Sequence, residues 1–194
     1  MPPHGTTKFE GKRLMEVFEA INTRRSTRHY KPDAIPEEKL NTVLEAVRWA
    51  PSWRNTQCWR FVIVEDKERK ARLAETLGPG NPAHSAIKEA PVVIVAGAEL
   101  DHSGFVDGKP ATDKGDWYMF DVALAMQNLT LAAHSLGLGT VHAGRFDAQK
   151  AAQILPVPQG VVVVEMTPLG YPEREAKAPP QKELSEVVFR EGYR

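Results

Sequence analysis

The residues best suited to chemistry sit in a few short stretches, and the first is Arg24-Arg25-Ser26-Thr27-Arg28. Three guanidinium groups and two hydroxyls fall together, and no acidic side chain inside the run neutralises them. A guanidinium is a planar fork of donors that matches phosphate, and it stays charged at any working pH. Charge-assisted bonds of this kind are stronger than neutral ones. The run reads as a grip for a small phosphorylated ligand. A solvated basic loop or a nucleic-acid patch is the alternative that these residues alone leave open.

The second stretch, from Ala50 to Trp59, is dense in amide, hydroxyl and aromatic groups: Ser52, Trp53, Asn55, Thr56, Gln57 and Trp59. A loop of this composition is either a plain connection or one that stacks on a ring and hydrogen-bonds its edge. Metal chemistry has no matching pattern, because no two of the six histidines stand at i, i+4 on an expected helix. The single cysteine, Cys58, excludes an internal disulfide and suits a reducing, cytoplasmic setting. Zero formal net charge argues against general binding to nucleic acid or an anionic membrane, so the basic run is a local feature.

These stretches need elements to hold them. With 194 residues, 42% apolar and 26% charged, the chain can bury a real core. Polar, proline-containing residues 1–13 read as a flexible tail, and residues 14–194 as a single domain. Leu14, Val17, Phe18 and Ile21 form an i, i+3, i+4, i+7 stripe, which predicts a helix from Lys12 to Asn22 leading into the arginine run. Leu40, Val43, Leu44 and Val47 repeat the stripe, with Pro36 at the first helical position and Pro51 beyond the end, so a second helix spans Pro36 to Trp49. Strands are expected at Trp59 to Val64, Pro91 to Ala96 and Val161 to Met166. The last two are apolar throughout, as strands covered on both faces are. Shorter helices are expected from Asp66 to Leu77 and from Asp147 to Leu155. Leu100 to Gly115 reads as a mobile lid or flap.

The longest helical pattern is Asp116 to Gly137, with no Lys, Arg or Glu. Apolar nearly all round, it should be buried. It suits either a core helix or a pair of helices meeting across a dimer. Asp121, Gln127, Asn128 and His134 interrupt it too often for a membrane span. Gly137-Leu138-Gly139-Thr140 ends it. That is not a dinucleotide fingerprint, since it follows a helix rather than a strand. Leu184 to Phe189 reads as a possible edge strand, on this chain or on a partner subunit.

Taken together, four stretches resemble the FMN-dependent nitroreductase family. They are the arginine run with Tyr30; Ala50-Pro51-Ser52 with Asn55, Gln57 and Trp59-Arg60-Phe61; Ala133 to Thr140 with Gly144 and Phe146-Asp147; and Leu169-Gly170-Tyr171-Pro172. The resemblance covers nearly everything from Phe18 to Val188. It implies an α+β sandwich, a mostly antiparallel central sheet flanked by helices, in an intertwined homodimer. It also implies FMN as cofactor, NADH or NADPH as hydride donor, and a small-molecule acceptor such as a nitroaromatic, quinone, enone or free flavin, in a ping-pong scheme through flavin N5. By matching position, Arg24, Arg25, Ser26 and Arg28 would hold the phosphate and one flavin edge. Pro51, Ser52, Trp53 and Asn55 would reach the flavin from the other subunit. His142, Ala143, Gly144 and Arg145 would lie against the ring system, where the N–H of Gly144 or Arg145 would donate to N5. No side chain is assigned as an obligatory acid or base.

Three positions depart from the family's pattern. Cys58 replaces a usual proline, which changes loop stiffness more than chemistry. Lys182 is the only cation in Pro179-Pro180-Gln181-Lys182-Glu183, where the family commonly has more. Arg145 is bulky and charged where a small residue is usual, and suits an anionic substrate or cofactor. Flavin-destroying benzimidazole synthases and iodotyrosine deiodinases resemble the same fold, and a protein that stores or senses FMN without turnover is the alternative outside the enzymes.

Overall fold

A computed structural model of the chain describes residues 15–193. The expected tail at 1–13 lies outside the described residues. Secondary structure follows the apolar spacing closely where the elements are long. The first helix, α1 (Val17–Thr23), ends where the arginine run begins. The second, α2 (Glu37–Arg48), buries Val43 and Val47 and has Pro36 as its N-cap residue, with Glu37 and Glu38 against the positive end of the helix dipole. Strand β1 (Trp59–Val64) follows. Helix α3 (Lys67–Ala74) starts at Asp66, whose carboxylate accepts from Arg69 N at 2.9 Å.

A short helix not anticipated from the sequence, α4 (His84–Glu89), buries Ala86 and Ile87. Six residues are too few to show a repeating stripe. Its end is held from outside: buried Lys70 donates through Nζ to the Ala90 and Pro91 carbonyls at 2.5 and 3.0 Å. Strand β2 (Val92–Glu99) is next, then a two-residue hairpin, β3 (Phe105–Val106) with β4 (Lys109–Pro110). The long helix α5 (Tyr118–Ser135), β5 (Gly139–Thr140), α6 (Ala148–Ile154) and β6 (Val161–Gly170) complete the frame.

The main sheet has the order β1-β2-β6-β5, and every pairing in it is antiparallel. Alternation along the strands separates two cores. Val92, Ile94, Ala96, Ala98 and Leu169 point to α2 and α5, while Val93, Val95, Val163 and Met166 point to α3, α4 and α6. Strand β2 is thus covered on both faces, as its apolar run requires. Each fully buried Val, Leu, Ile or Met contributes roughly 1.5–3 kcal/mol. The result is the α+β sandwich expected from the sequence, with helices on both sides of an antiparallel sheet.

Three expectations change. Helix α5 is not buried all round: Val122, Ala125, Met126, Leu129 and Ala133 face the core, but Met119, Phe120, Ala123 and Gln127 are exposed. The Leu100–Gly115 segment is not structureless, because its hairpin folds onto the start of α5, with Ser103 fully buried. Gly104 makes that approach possible. It sits at φ +83°, and a Cβ there would stand 2.5 Å from Trp117 Cδ1 and 2.6 Å from the Gly115 carbonyl. Finally, Leu184 to Phe189 forms no strand. Leu184–Glu186 is a single 3-10 turn closed by Glu183 and Glu186, and Leu184, Val187 and Val188 stay exposed. A strand needs a neighbour to pair with, and this segment has none among the described residues.

Candidate functional site

The arginine run leaves α1 in extended form and lies beside β5. Ser26 bridges Thr140 in parallel register, and Thr27 N donates to the Thr140 carbonyl at 2.8 Å. Thr27 and Tyr30 are buried, while Arg28 and His29 between them are exposed. The Tyr30 hydroxyl donates to the Thr27 carbonyl at 2.7 Å, and burial pushes its proton affinity well above the ordinary tyrosine range. Tyr30 in turn rests on Gly170. A Cβ on Gly170 would meet Pro91 Cδ at 2.7 Å and the Tyr30 ring at 3.0 Å. The Gly170-Tyr171 pair recognised in the sequence is therefore a seat for the anchor of the arginine run.

Arg24, Arg25, Ser26 and Arg28 line one cavity of about 640 Å³, closed on the far side by Ala176 to Pro179 and Gln181 of the C-terminal tail. That size suits a small-molecule site. Among the described residues none of the three arginines forms an ion pair, and neither does Lys177 in the opposite wall. Arg25 Nη1 donates to the Asn22 and Arg24 carbonyls at 2.8 Å, which fixes its direction without an ion pair. Lys182, the cation expected in the tail, is absent from this wall; Lys177 stands there instead. A second cavity of about 530 Å³ shares Arg24 and Arg25 and is bounded by His134, Thr140 and Arg174.

The other candidate residues fall elsewhere. His142 and Ala143 continue the β5 edge. Ala143 exchanges hydrogen bonds with Met166 at 2.9 and 3.1 Å, and exposed His142 meets both Glu165 carboxylate oxygens through Nδ1 at 3.0 and 3.1 Å. Gly144 is exposed, with open space around its α-carbon. The exposed Arg145 guanidinium packs against Gly78 and donates to the Pro79 carbonyl at 3.2 Å. All four follow β5 in the chain and lie outside the walls of the two cavities.

Pro51, Ser52, Trp53 and Asn55 form a rigid loop at the opposite end of α5. Arg54, Asn55 and Gln57 all hold positive φ, at 44°, 60° and 50°. Such conformations cost free energy and cluster at functional sites. The loop is held by Asp121, a carboxylate with no exposure in the first turn of α5. It accepts from Trp53 N at 3.0 and 3.2 Å and from Ser103 Oγ at 2.7 Å, with Thr56 Oγ1 and Cys58 Sγ at 3.5 and 3.6 Å. Burial, then Asp121, pushes the Cys58 thiol up to about 12. Trp53 stacks at a tilt on Trp117, 5.5 Å between centroids, and its buried Nε1 has no partner among the described residues. The anchoring role of Asp121 was missed from the sequence. Its signal was an acidic residue isolated in an otherwise almost uncharged helix.

Asp121 marks the loop end of α5 and His134 the arginine end. Thirteen residues at ~1.5 Å separate them by about 20 Å. Within one chain, then, the loop and the arginine run do not share a site.

The family profile described as Nitroreductase family matches residues 21–171, a span that contains the arginine run, the rigid loop and the Gly170-Tyr171 seat. The chain belongs to the nitroreductase family. Among its relatives, an FMN reductase (NAD(P)H) of Bacillus subtilis is 33% identical over 178 residues, covering 86% of this chain and 70% of that protein. A nitroreductase family protein of Clostridium novyi NT is 33% identical with a TM-score of 0.74, covering 82% of this chain and 86% of the other. An FMN-dependent nitroreductase of Clostridium difficile R20291 is 27% identical with a TM-score of 0.75, covering 90% and 98%. Among the described residues of this nitroreductase relative, no helix is long and apolar enough to cross a membrane.

Proposed function

We propose that the protein is an FMN-dependent oxidoreductase that uses NADH or NADPH to reduce nitroaromatics, quinones or related acceptors. The observation that carries this reading is the cavity at Arg24, Arg25, Ser26 and Arg28, whose cations form no ion pair among the described residues. A phosphate supplies that charge, and guanidinium groups bind it in bidentate fashion. The names of the FMN reductase and FMN-dependent nitroreductase relatives support flavin as the phosphorylated ligand.

FMN, when bound, supplies the hydride-transfer chemistry, in two half-reactions that share one pocket. The chain's own part is binding and orientation. Arg24, Arg25 and Arg28 fix the phosphate end, with Lys177 of the tail facing them. The sheet edge at His142 to Arg145 runs on from the same strand, toward where the ring system would extend. Residues 14–194 act as a single FMN-binding unit in this reading, in a cytoplasmic setting suited to a lone buried thiol.

The reading includes a homodimer. The rigid loop lies about 20 Å from the arginine run of its own chain, so it serves the cavity of a second copy. The exposed side of α5, with Met119 and Phe120, and the exposed Val17, Phe18 and Ile21 of α1 are the apolar surfaces such a dimer would cover.

The test is direct. The purified protein should be yellow and dimeric by light scattering. NADH or NADPH should bleach it without oxygen, and a quinone or nitroaromatic should restore the colour. A colourless monomer that ignores added FMN refutes the reading. Bound FMN that NAD(P)H does not bleach would make the protein a flavin store, and breakdown of reduced flavin to a benzimidazole would make it a destructase.

A further inference from the structure

The last turn of α5 brings a titratable side chain against the arginine run that the reading above does not use. His134 lines the second cavity with Thr23, Arg24 and Arg25. The Thr23 hydroxyl donates its one proton to the Glu19 carbonyl at 2.6 Å, so toward the imidazole the same oxygen can only accept. His134 Nε2, 2.8 Å away, therefore carries a proton, and Nδ1 is left as a lone pair without a partner among the described residues.

The charged groups around this imidazole come from three elements. Arg24 and Arg25 follow α1, Glu19 projects from α1, and Arg174 and Glu175 come from the tail. Helix α5 adds no charge nearer than Asp121 at its other end. Burial, then Arg24 and Arg25, holds His134 below the ordinary histidine range, and Glu19 opposes them. The two guanidinium groups that resist protonation of His134 are the ones that wait for an anion.

We propose that His134 is the proton-linked member of the anion site: a doubly charged anion bound at Arg24 and Arg25 is accompanied by a proton taken up at His134 Nδ1. The inference rests on the reading that the arginine run binds phosphate. An anion on Arg24 and Arg25 cancels the field that opposes the imidazolium. The bound state then holds more protons than the free state through the histidine range, so affinity for the anion rises as pH falls. Reciprocity requires that the anion strengthen proton binding by the same factor. One linked proton limits the effect to about tenfold per pH unit.

The probe is sulfate, because a phosphomonoester loses one of its own charges near pH 6, whereas sulfate does not. In the flavin-free full chain, the His134 ring resonance is titrated by NMR between about pH 5 and 8, with and without saturating sulfate. Sulfate affinity is measured by calorimetry at both ends of that range, for wild type and for His134→Gln, which keeps a donor toward Thr23. Sulfate should move the His134 midpoint upward. Wild type should bind sulfate three- to tenfold tighter at the acid end, and His134→Gln should show a flat profile. If sulfate binds but the His134 midpoint stays in place, the proposal is overturned; an unchanged slope in His134→Gln overturns it too. The midpoint needs only wild type, so it decides the matter even if the variant folds poorly. No sulfate binding at either pH removes the phosphate reading itself, a result distinct from the other two.

Discussion

Gly139 gives the sharpest test of how the arginine run is placed. Its backbone is ordinary, but it has no room. A Cβ added there would stand 2.6 Å from Thr27 Cβ and 2.8 Å from Thr27 Cγ2, and closer still to Thr27 Oγ1. Thr27 cannot step aside, since its N–H is bonded to Thr140 and its carbonyl to the Tyr30 hydroxyl. Gly139→Ala must therefore push the whole run off β5. Overpacking of this kind costs about 1–3 kcal/mol. For a chain of this size each kcal/mol lowers Tm by roughly 2–4 °C, so the expected fall is roughly 2–12 °C. Moving the guanidinium groups should also weaken FMN by about tenfold to hundredfold, the value of one hydrogen bond to a charged group. Calorimetry and a flavin titration read the two effects. Thr27→Gly removes all three clashing atoms, so the double variant should recover FMN affinity relative to Gly139→Ala. A Gly139→Ala protein with wild-type Tm and affinity would refute the argument.

Three further outcomes follow from the site. Arg28→Ala should weaken FMN by about tenfold to hundredfold and leave riboflavin nearly unchanged in an equilibrium titration, because riboflavin lacks the phosphate. Asp121→Asn should cost about 1–3 kcal/mol in urea unfolding, since in either orientation the amide NH2 takes the place of an oxygen that accepts from Trp53 N or Ser103. Cys58 should resist iodoacetamide in the folded protein near pH 8. A thiol raised from 9.0 to about 12 favours the folded state fully below pH 9, and the contribution is lost as pH climbs from 9 to about 12. At ~1.4 kcal/mol per tenfold change in proton affinity, the loss is at most about 4 kcal/mol. Comparing the alkaline unfolding of Cys58→Ala with wild type measures it.

Long elements were legible from the sequence because their burial is repetitive. The β-branched run of β1 appears at its expected bounds, and α2 within one residue at each end. The four family stretches located the arginine run, its Tyr30 anchor and the rigid loop. What stayed hidden depends on partners far away in the chain. A six-residue helix has no repeat to read. The tail's cation at the cavity is set by where the chain crosses it, so Lys177 and not Lys182 faces the arginines. Asp121 looked like a polar break in an apolar helix until the donors of residues 53 to 58 and Ser103 were brought to it. Gly139 looked like a helix stop, yet its neighbour Thr27 lies in the extended run far away in the chain, a constraint no local pattern carries.

The span between the two ends of α5 has a genetic consequence. If each cavity is completed by the partner's loop, an Arg28 lesion and a lesion at Trp53 or Asn55 damage different components of every site. Each variant alone forms a homodimer with two defective sites. In a mixed dimer both lesions fall on one site, and the other is built from the sound cavity of one chain and the sound loop of the other. Random mixing makes half the dimers mixed, so two inactive proteins should together recover about a quarter of wild-type turnover. Lesions confined to one component should not rescue one another.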